Sequence, residues 1–187
     1  MEIFESLTKI KLAQFDEKEK IISENKVNRI LPDGTYEEYY SMDGRYFTRI
    51  QPKGSDFTIV KNFYKNGNIE AKFLVFNQGK FPAGISYFFN EKGDLIQEQN
   101  NESLFTFTIN DLLSYLQENK IFLNKSIYDQ FPIEGQVSIG RSFSLQSPLW
   151  YVSVPVNGKE DEIWTIDGRT GLLIKKESYS DSEFGKM

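Results

Sequence analysis

Any chemistry in this chain has to come from carboxylates, lysines or tyrosines, because the sequence contains no Cys and no His. Their absence removes thiol and Ser-His-Asp nucleophiles, disulfide frameworks, the usual zinc ligand sets and His-ligated haem. A group titrating near neutral pH would need a perturbed carboxylate, Lys or Tyr. The first acidic grouping is Asp33, Glu37, Glu38 and Asp43. On a strand Glu37 and Glu38 point to opposite faces, so they do not pair as acid and base. They read as solvent-side charges on an exposed hairpin.

Two further groupings lie near the C-terminal end. Glu160-Asp161-Glu162 follows Asn157-Gly158 and lacks the Asp-x-Asp-x-Asp-Gly spacing of a calcium loop, so it reads as a solvated turn or a contact surface for a basic partner. Asp167-Gly168-Arg169-Thr170-Gly171 has the superficial look of an aspartic-protease loop, but it occurs once and its Thr is displaced. Turn formation, with Asp167 accepting from its own backbone, explains it. The glycines are isolated at turns and build no phosphate loop. No cofactor and no metal site is expected, and no catalytic residue.

The elements that must position these groups come from a chain of 187 residues, 39% hydrophobic and 26% charged, the balance of a folded protein of one domain or two small ones. Sixteen Phe, 10 Tyr and 2 Trp supply core volume. The net charge of −5 is uneven: residues 1–100 carry 14 Lys and Arg against 15 Asp and Glu, and residues 101–187 carry 8 against 12. That field repels nucleic-acid phosphate and suits a basic partner. No apolar run reaches the roughly 18 residues of a membrane span, and no signal sequence is visible. The cytoplasm is expected, or the periplasm if a leader precedes Met1.

Residues 33–98 alternate aromatic runs with turn dipeptides: Asp33-Gly34, Tyr39-Tyr40 and Asp43-Gly44, then Phe63-Tyr64 and Asn66-Gly67, then Tyr87-Phe88-Phe89 and Gly93. Asn-Gly and Asp-Gly between such runs signal hairpins, and the glycine spacings of 23 and 26 residues are near-periodic. This stretch resembles the MORN-like hairpin repeats of a bacterial antitoxin-type family. Thr58 replaces the leading Gly of the middle unit, and Ser86 occupies a slot where the family has an aromatic.

The period then changes. Ile109, Leu112, Leu113 and Leu116 predict a helix over 108–120, with Thr108 as N-cap, Asp111 completing a capping box and Asn119 at the close. Strands are expected at 136–144, 149–156, 161–167 and 172–177, with Asn157-Gly158 as a hairpin turn. Trp150 and Trp164 should pack the helix against this sheet. Residues 106–177 are similar to the PepSY-type module, above all over 149–176. The first thirty residues fit either a helix or a strand, and the tail from Tyr179 reads as frayed.

The expected fold is therefore β-rich α+β: antiparallel hairpin repeats, then one helix on an antiparallel meander. It forms one continuous domain with sub-modules 1–105 and 106–178. The antitoxin-type resemblance implies a non-catalytic immunity protein that occludes a cognate toxin, for which a basic protein such as a nuclease is the natural partner. Glu160, Asp161 and Glu162, or the aromatics around Tyr39 and Tyr64, are the expected contacts. The other readings are a small carboxylate-dependent hydrolase, which needs two facing carboxyls about 5–10 Å apart, and an exported PepSY-like ligand-binding or inhibitory module.

Overall fold

The computed structural model describes residues 26–123, 136–142, 147–156 and 160–180. Among them lie eleven strands in two antiparallel sheets and a single helix, the β-rich class expected. The chain forms two compact units. The first contains the strands up to Phe76 and residues 81–101; the second contains 77–80 and the residues from Glu102 onward. The Asn157-Gly158 turn, the first twenty-five residues and the tail past Ser180 lie outside the described residues.

The first unit is a seven-stranded sheet whose spatial order is its chain order: β1 (Lys26–Ile30), β2 (Tyr36–Met42), β3 (Arg45–Gln51), β4 (Phe57–Phe63), β5 (Ile69–Phe76), β6 (Phe81–Phe89) and β7 (Leu95–Asn100). Every second connection falls at the same end of the sheet. There Asp43 and Gly44 take φ of 53° and 74°, the left-handed pair that a tight hairpin turn requires. The turns touch in succession. Tyr64 Oη donates to the Phe89 carbonyl (2.9 Å), and the Asn66 and Asn68 amides donate to Glu91 O (3.0 and 2.6 Å). Phe63, Ile69 and Phe89 form the buried cluster beneath, with Tyr39, Tyr46 and Tyr87 packed against it.

In the second unit β8 (Ser138–Ser142), β9 (Leu149–Pro155), β10 (Glu160–Asp167) and β11 (Leu173–Ser180) pair in chain order, and α1 spans Ile109–Glu118. The helix begins as its sequence dictates. Thr108 Oγ1 accepts from the Asp111 amide, and the Asp111 carboxylate accepts from the Thr108 amide (2.8 Å). The Thr108 hydroxyl (2.7 Å) and then its amide, both donating to the Asp111 carboxylate, hold that carboxyl below its ordinary pKa. Asn119 is the C-cap.

Ile109, Leu112 and Leu116 are buried along one stripe. Tyr115 meets the Trp164 ring edge-on at 6.5 Å, while Phe105 leans on Trp150 at 4.6 Å. The Trp150 indole N–H donates to Phe107 O (2.9 Å), so the largest buried side chain keeps its polar atom satisfied. Both tryptophans thus face the helix, as expected.

The Asp167–Gly171 loop locks the helix entry. Asp167 Oδ1 accepts from the amides of Arg169 (2.9 Å) and Thr170 (2.8 Å), which holds its carboxyl below the usual range. Gly168 then bonds Pro148 O (2.8 Å) through its N–H and the Phe107 N–H (3.0 Å) through its carbonyl. A Cβ on Gly168 would lie 2.5 Å from the Phe105 ring and 2.8 Å from the Pro148 carbonyl, whereas one on Gly140 would meet nothing within 4 Å. Gly168→Ala should therefore destabilise the protein by about 1–3 kcal/mol. Gly140→Ala should stay within about 0.5 kcal/mol of wild type. Urea denaturation of both variants checks the contrast.

Candidate functional site

Side-chain alternation decides which of the chain's polar groups can meet. In β2, Glu38 turns to one face of the seven-stranded sheet and Glu37 to the other. The expectation that both are solvent-side charges fails for Glu38, which is only 1% exposed. The reason is its cross-strand partner. Arg49 stands opposite it on β3 and reaches its carboxylate at 3.1 Å. Tyr36 Oη adds a bond to Glu38 Oε2 (3.3 Å), and the guanidinium lies 5.0 Å from the centre of the Tyr40 ring, which itself stacks on Phe47 at 4.8 Å. The carboxylate is buried because its charge is matched. On the opposite face Glu37 holds Arg29 (2.7 Å) and accepts from Tyr39 Oη (3.0 Å).

The two tyrosines expected as contacts are packing residues. Tyr39 lies half-buried against the Phe63 cluster with Arg29 over its ring, and burial followed by the Glu37 charge raises its phenol pKa. Tyr64 is committed to Phe89 O.

Glu160, Asp161 and Glu162 lie along one strand, and Asp161 and Glu162 do not share a face. All three belong to β10, paired through the backbone to Ser180, Tyr179 and Ser178. Asp161 points to one face and accepts from Ser153 Oγ (2.6 Å). Glu162 points to the other, where it accepts from the Trp164 indole (2.5 Å) and lies 3.9 Å from Lys176. Lys176 in turn sits 3.5 Å from the centre of the Trp164 ring.

A third arrangement was missed in the sequence. Across one face of the seven-stranded sheet the ladders place Tyr39, Thr48, Lys61, Lys72, Tyr87 and Glu98 in a single row, one residue per strand from β2 to β7. Lys61 occupies an apolar column, with Ile59 and Phe63 two residues either side, and all three are at most 6% exposed. Burial, then the neighbouring Lys72 charge, lowers its pKa. Lys72 is half-buried, its ammonium 5.4 Å from the centre of the Tyr87 ring. Thr48, opposite Lys61, is 2% exposed, and its hydroxyl has no hydrogen-bond partner among the described residues. The signal in the sequence was Ile59-x-Lys61-x-Phe63: a lysine at an inward position of a period-2 strand.

Two outcomes follow. Arg49→Met alone should cost about 3–5 kcal/mol by leaving Glu38 buried without its partner, and Glu38→Gln on that background should recover part of the loss. A double-mutant cycle in guanidinium reads both. For Lys61 the folded pKa lies below the unfolded one, so at neutral pH both states hold the proton and the burial penalty is fully present. As pH rises towards 10.5 the folded state releases its proton first and the penalty fades. Relative to Lys61→Met, wild type should therefore gain stability between neutral pH and about 10.5, read from denaturation midpoints across that range.

Compared with protein families, curated proteins and solved structures, the chain matches none.

Proposed function

We propose that this is a non-catalytic binding protein of the immunity or antitoxin type, which neutralises a basic toxin-class protein by covering its working surface. The observation that carries the reading is an apolar strip on an outermost strand. Leu172, Leu173 and Ile174 are 68%, 38% and 55% exposed where β11 begins, and among the described residues β11 pairs only with β10. An open strand edge with exposed aliphatic residues is the kind of surface that takes up an added strand or an apolar anchor. The strip belongs to the acidic part of the chain, with 8 Lys and Arg against 12 Asp and Glu over residues 101–187. The apolar strip supplies the centre of the contact, and the acidic residues at the far end of the same hairpin, Asp161 and Glu162 among them, steer a basic partner at longer range.

The MORN-like resemblance of residues 33–98, with its strands read as hairpin repeats, supports the class, whereas the PepSY-like resemblance of 106–177 belongs to the alternative of an exported ligand-binding or inhibitory module. A carboxylate hydrolase has no comparable support. Its candidate acids, Glu37 with Glu38 and Asp161 with Glu162, alternate to opposite sides of their strands.

The test is rescue of growth. The protein encoded beside this one, expressed alone, should arrest the cell, and co-expression of this chain should restore growth. With that pair in hand, Leu172→Ser combined with Ile174→Ser should raise the dissociation rate about tenfold or more. The triple change of Glu160, Asp161 and Glu162 to Ala should instead slow association and flatten its salt dependence. A neighbour that is harmless, or that arrests growth equally with this chain present, overturns the reading.

A further inference from the structure

We propose that the Asp43-Gly44 turn between β2 and β3 is a self-modification site, where the Gly44 nitrogen closes on the Asp43 carboxyl to form a succinimide that hydrolyses to an isoaspartyl residue. The inference is independent of the immunity reading, which makes no use of this turn.

Asp-Gly suits this ring closure because glycine places no side chain beside the attacking nitrogen. The chain holds three such dipeptides: Asp33-Gly34, Asp43-Gly44 and Asp167-Gly168. As dipeptides they are identical, so their surroundings decide among them. The reaction needs a carboxyl able to take up a proton, an amide nitrogen clear of acceptors and a peptide unit able to rotate. Two of the three turns withhold all of these. Asp33 Oδ1 accepts from the Thr35 amide (2.8 Å), and the Gly34 N–H donates to Leu31 O (2.8 Å). Asp167 Oδ1 accepts from the amides of Thr170 (2.8 Å) and Arg169 (2.9 Å), and the Gly168 N–H donates to Pro148 O (2.8 Å). The bonds from Thr35 and from Thr170 hold the two carboxyls below their ordinary pKa, so each is less often the neutral acid that can lose its hydroxyl.

Asp43 and Gly44 carry neither restraint. Among the described residues the Asp43 carboxylate makes no hydrogen bond or ion pair, and the Gly44 N–H donates to no acceptor. Lys65 packs against Gly44, but an ammonium cannot accept from an N–H. Asp43 is exposed and held at φ 53°, a left-handed conformation that costs an L residue energy, so rotation out of it relieves strain. The Asn66-Gly67 turn at the same end of the sheet is tied like the other two: its Gly67 N–H donates to Tyr64 O (2.9 Å) and its Asn66 amide to Glu91 O (3.0 Å).

In the reaction the Gly44 nitrogen bonds to Asp43 Cγ, the Cγ–OH bond breaks, and the hydroxyl leaves with the amide proton as water. One water then opens the imide. Cleavage at Cγ restores Asp43; cleavage at the main-chain carbonyl carbon leaves the chain running through Cβ and Cγ. The isoaspartyl product lengthens a two-residue turn whose flanking residues, Met42 and Arg45, are paired across the ladder. Its freed α-carboxylate is the group that an S-adenosylmethionine-dependent isoaspartyl carboxyl methyltransferase recognises.

The experiment ages the folded protein at pH 5 and 37 °C, where part of an aspartate population is protonated. Isoaspartate is counted by that methyltransferase as a probe and located by electron-transfer fragmentation of the peptides. Asp43 should accumulate it about tenfold or more faster than either Asp33 or Asp167, since each of those must first break two or more hydrogen bonds. In urea the three rates should converge. Asp43→Glu, which would need a six-membered ring, should lose the Asp43 signal and leave the other two rates unchanged. The proposal is overturned if Asp43 in the folded protein does not lead both other sites by that margin. It is equally overturned if the same lead persists in urea, because flanking sequence would then select the site.

Discussion

Neighbouring residues of a strand face opposite ways, and the polar chemistry of this protein is organised by that constraint. Glu37 and Glu38 are consecutive, yet one joins Arg29 and Tyr39 while the other is buried with Arg49. Asp161 and Glu162 are also consecutive, yet one accepts from Ser153 and the other from Trp164. In each case an apparent cluster of acids is separated into single carboxylates with separate partners. The same alternation gathers residues far apart in sequence. Thr48, Lys61 and Lys72 come from three strands and lie side by side. Carboxylates adjacent in sequence are thereby kept from facing each other.

The two sheets solve the burial of polar atoms differently. In the second unit the polar bonds serve the packing of α1. The Trp150 indole, the Gly168 amide and carbonyl and the Asp167 carboxylate each satisfy a backbone group or receive a bond where the chain turns into or out of the helix layer. In the first unit charged residues are themselves part of the sheet faces: Glu38 and Lys61 are both almost fully buried. Glu38 is matched by Arg49 and framed by two tyrosines, so its burial reads as structure. Lys61 has a like charge opposite it, an arrangement that burial alone does not favour.

Edges matter as much as faces. Among the described residues β7 and β11 are terminal strands, and both expose aliphatic side chains: Leu95 and Ile96 on one, Leu173 and Ile174 on the other. On β11 the aliphatic pair is followed at once by Lys175, Lys176 and Glu177, and the ladder to β10 carries an irregularity at Thr165 and Ile166. Charge and bulge both discourage indiscriminate pairing of an open edge.

Much was legible in the residues alone, wherever the determining interaction is local. The β-rich class followed from aromatic runs broken by Asp-Gly and Asn-Gly. The helix, its Thr108–Asp111 box and its Asn119 close followed from a 3.6-residue period and a cap that satisfies its own amides. The Asp167 turn was equally local, since a side chain three residues away completes it. What the sequence left open depends on which strands become neighbours. Glu38 was expected in solvent because nothing near it in sequence announces Arg49, eleven residues on. Glu160, Asp161 and Glu162 were grouped because they adjoin, although a strand holds adjoining side chains apart. Lys61 passed unremarked because a lysine between Ile59 and Phe63 becomes unusual only once another lysine stands opposite it. Local energies determine the elements, but the charge environment of a side chain is a sum over cross-strand neighbours, and only the assembled sheet supplies those.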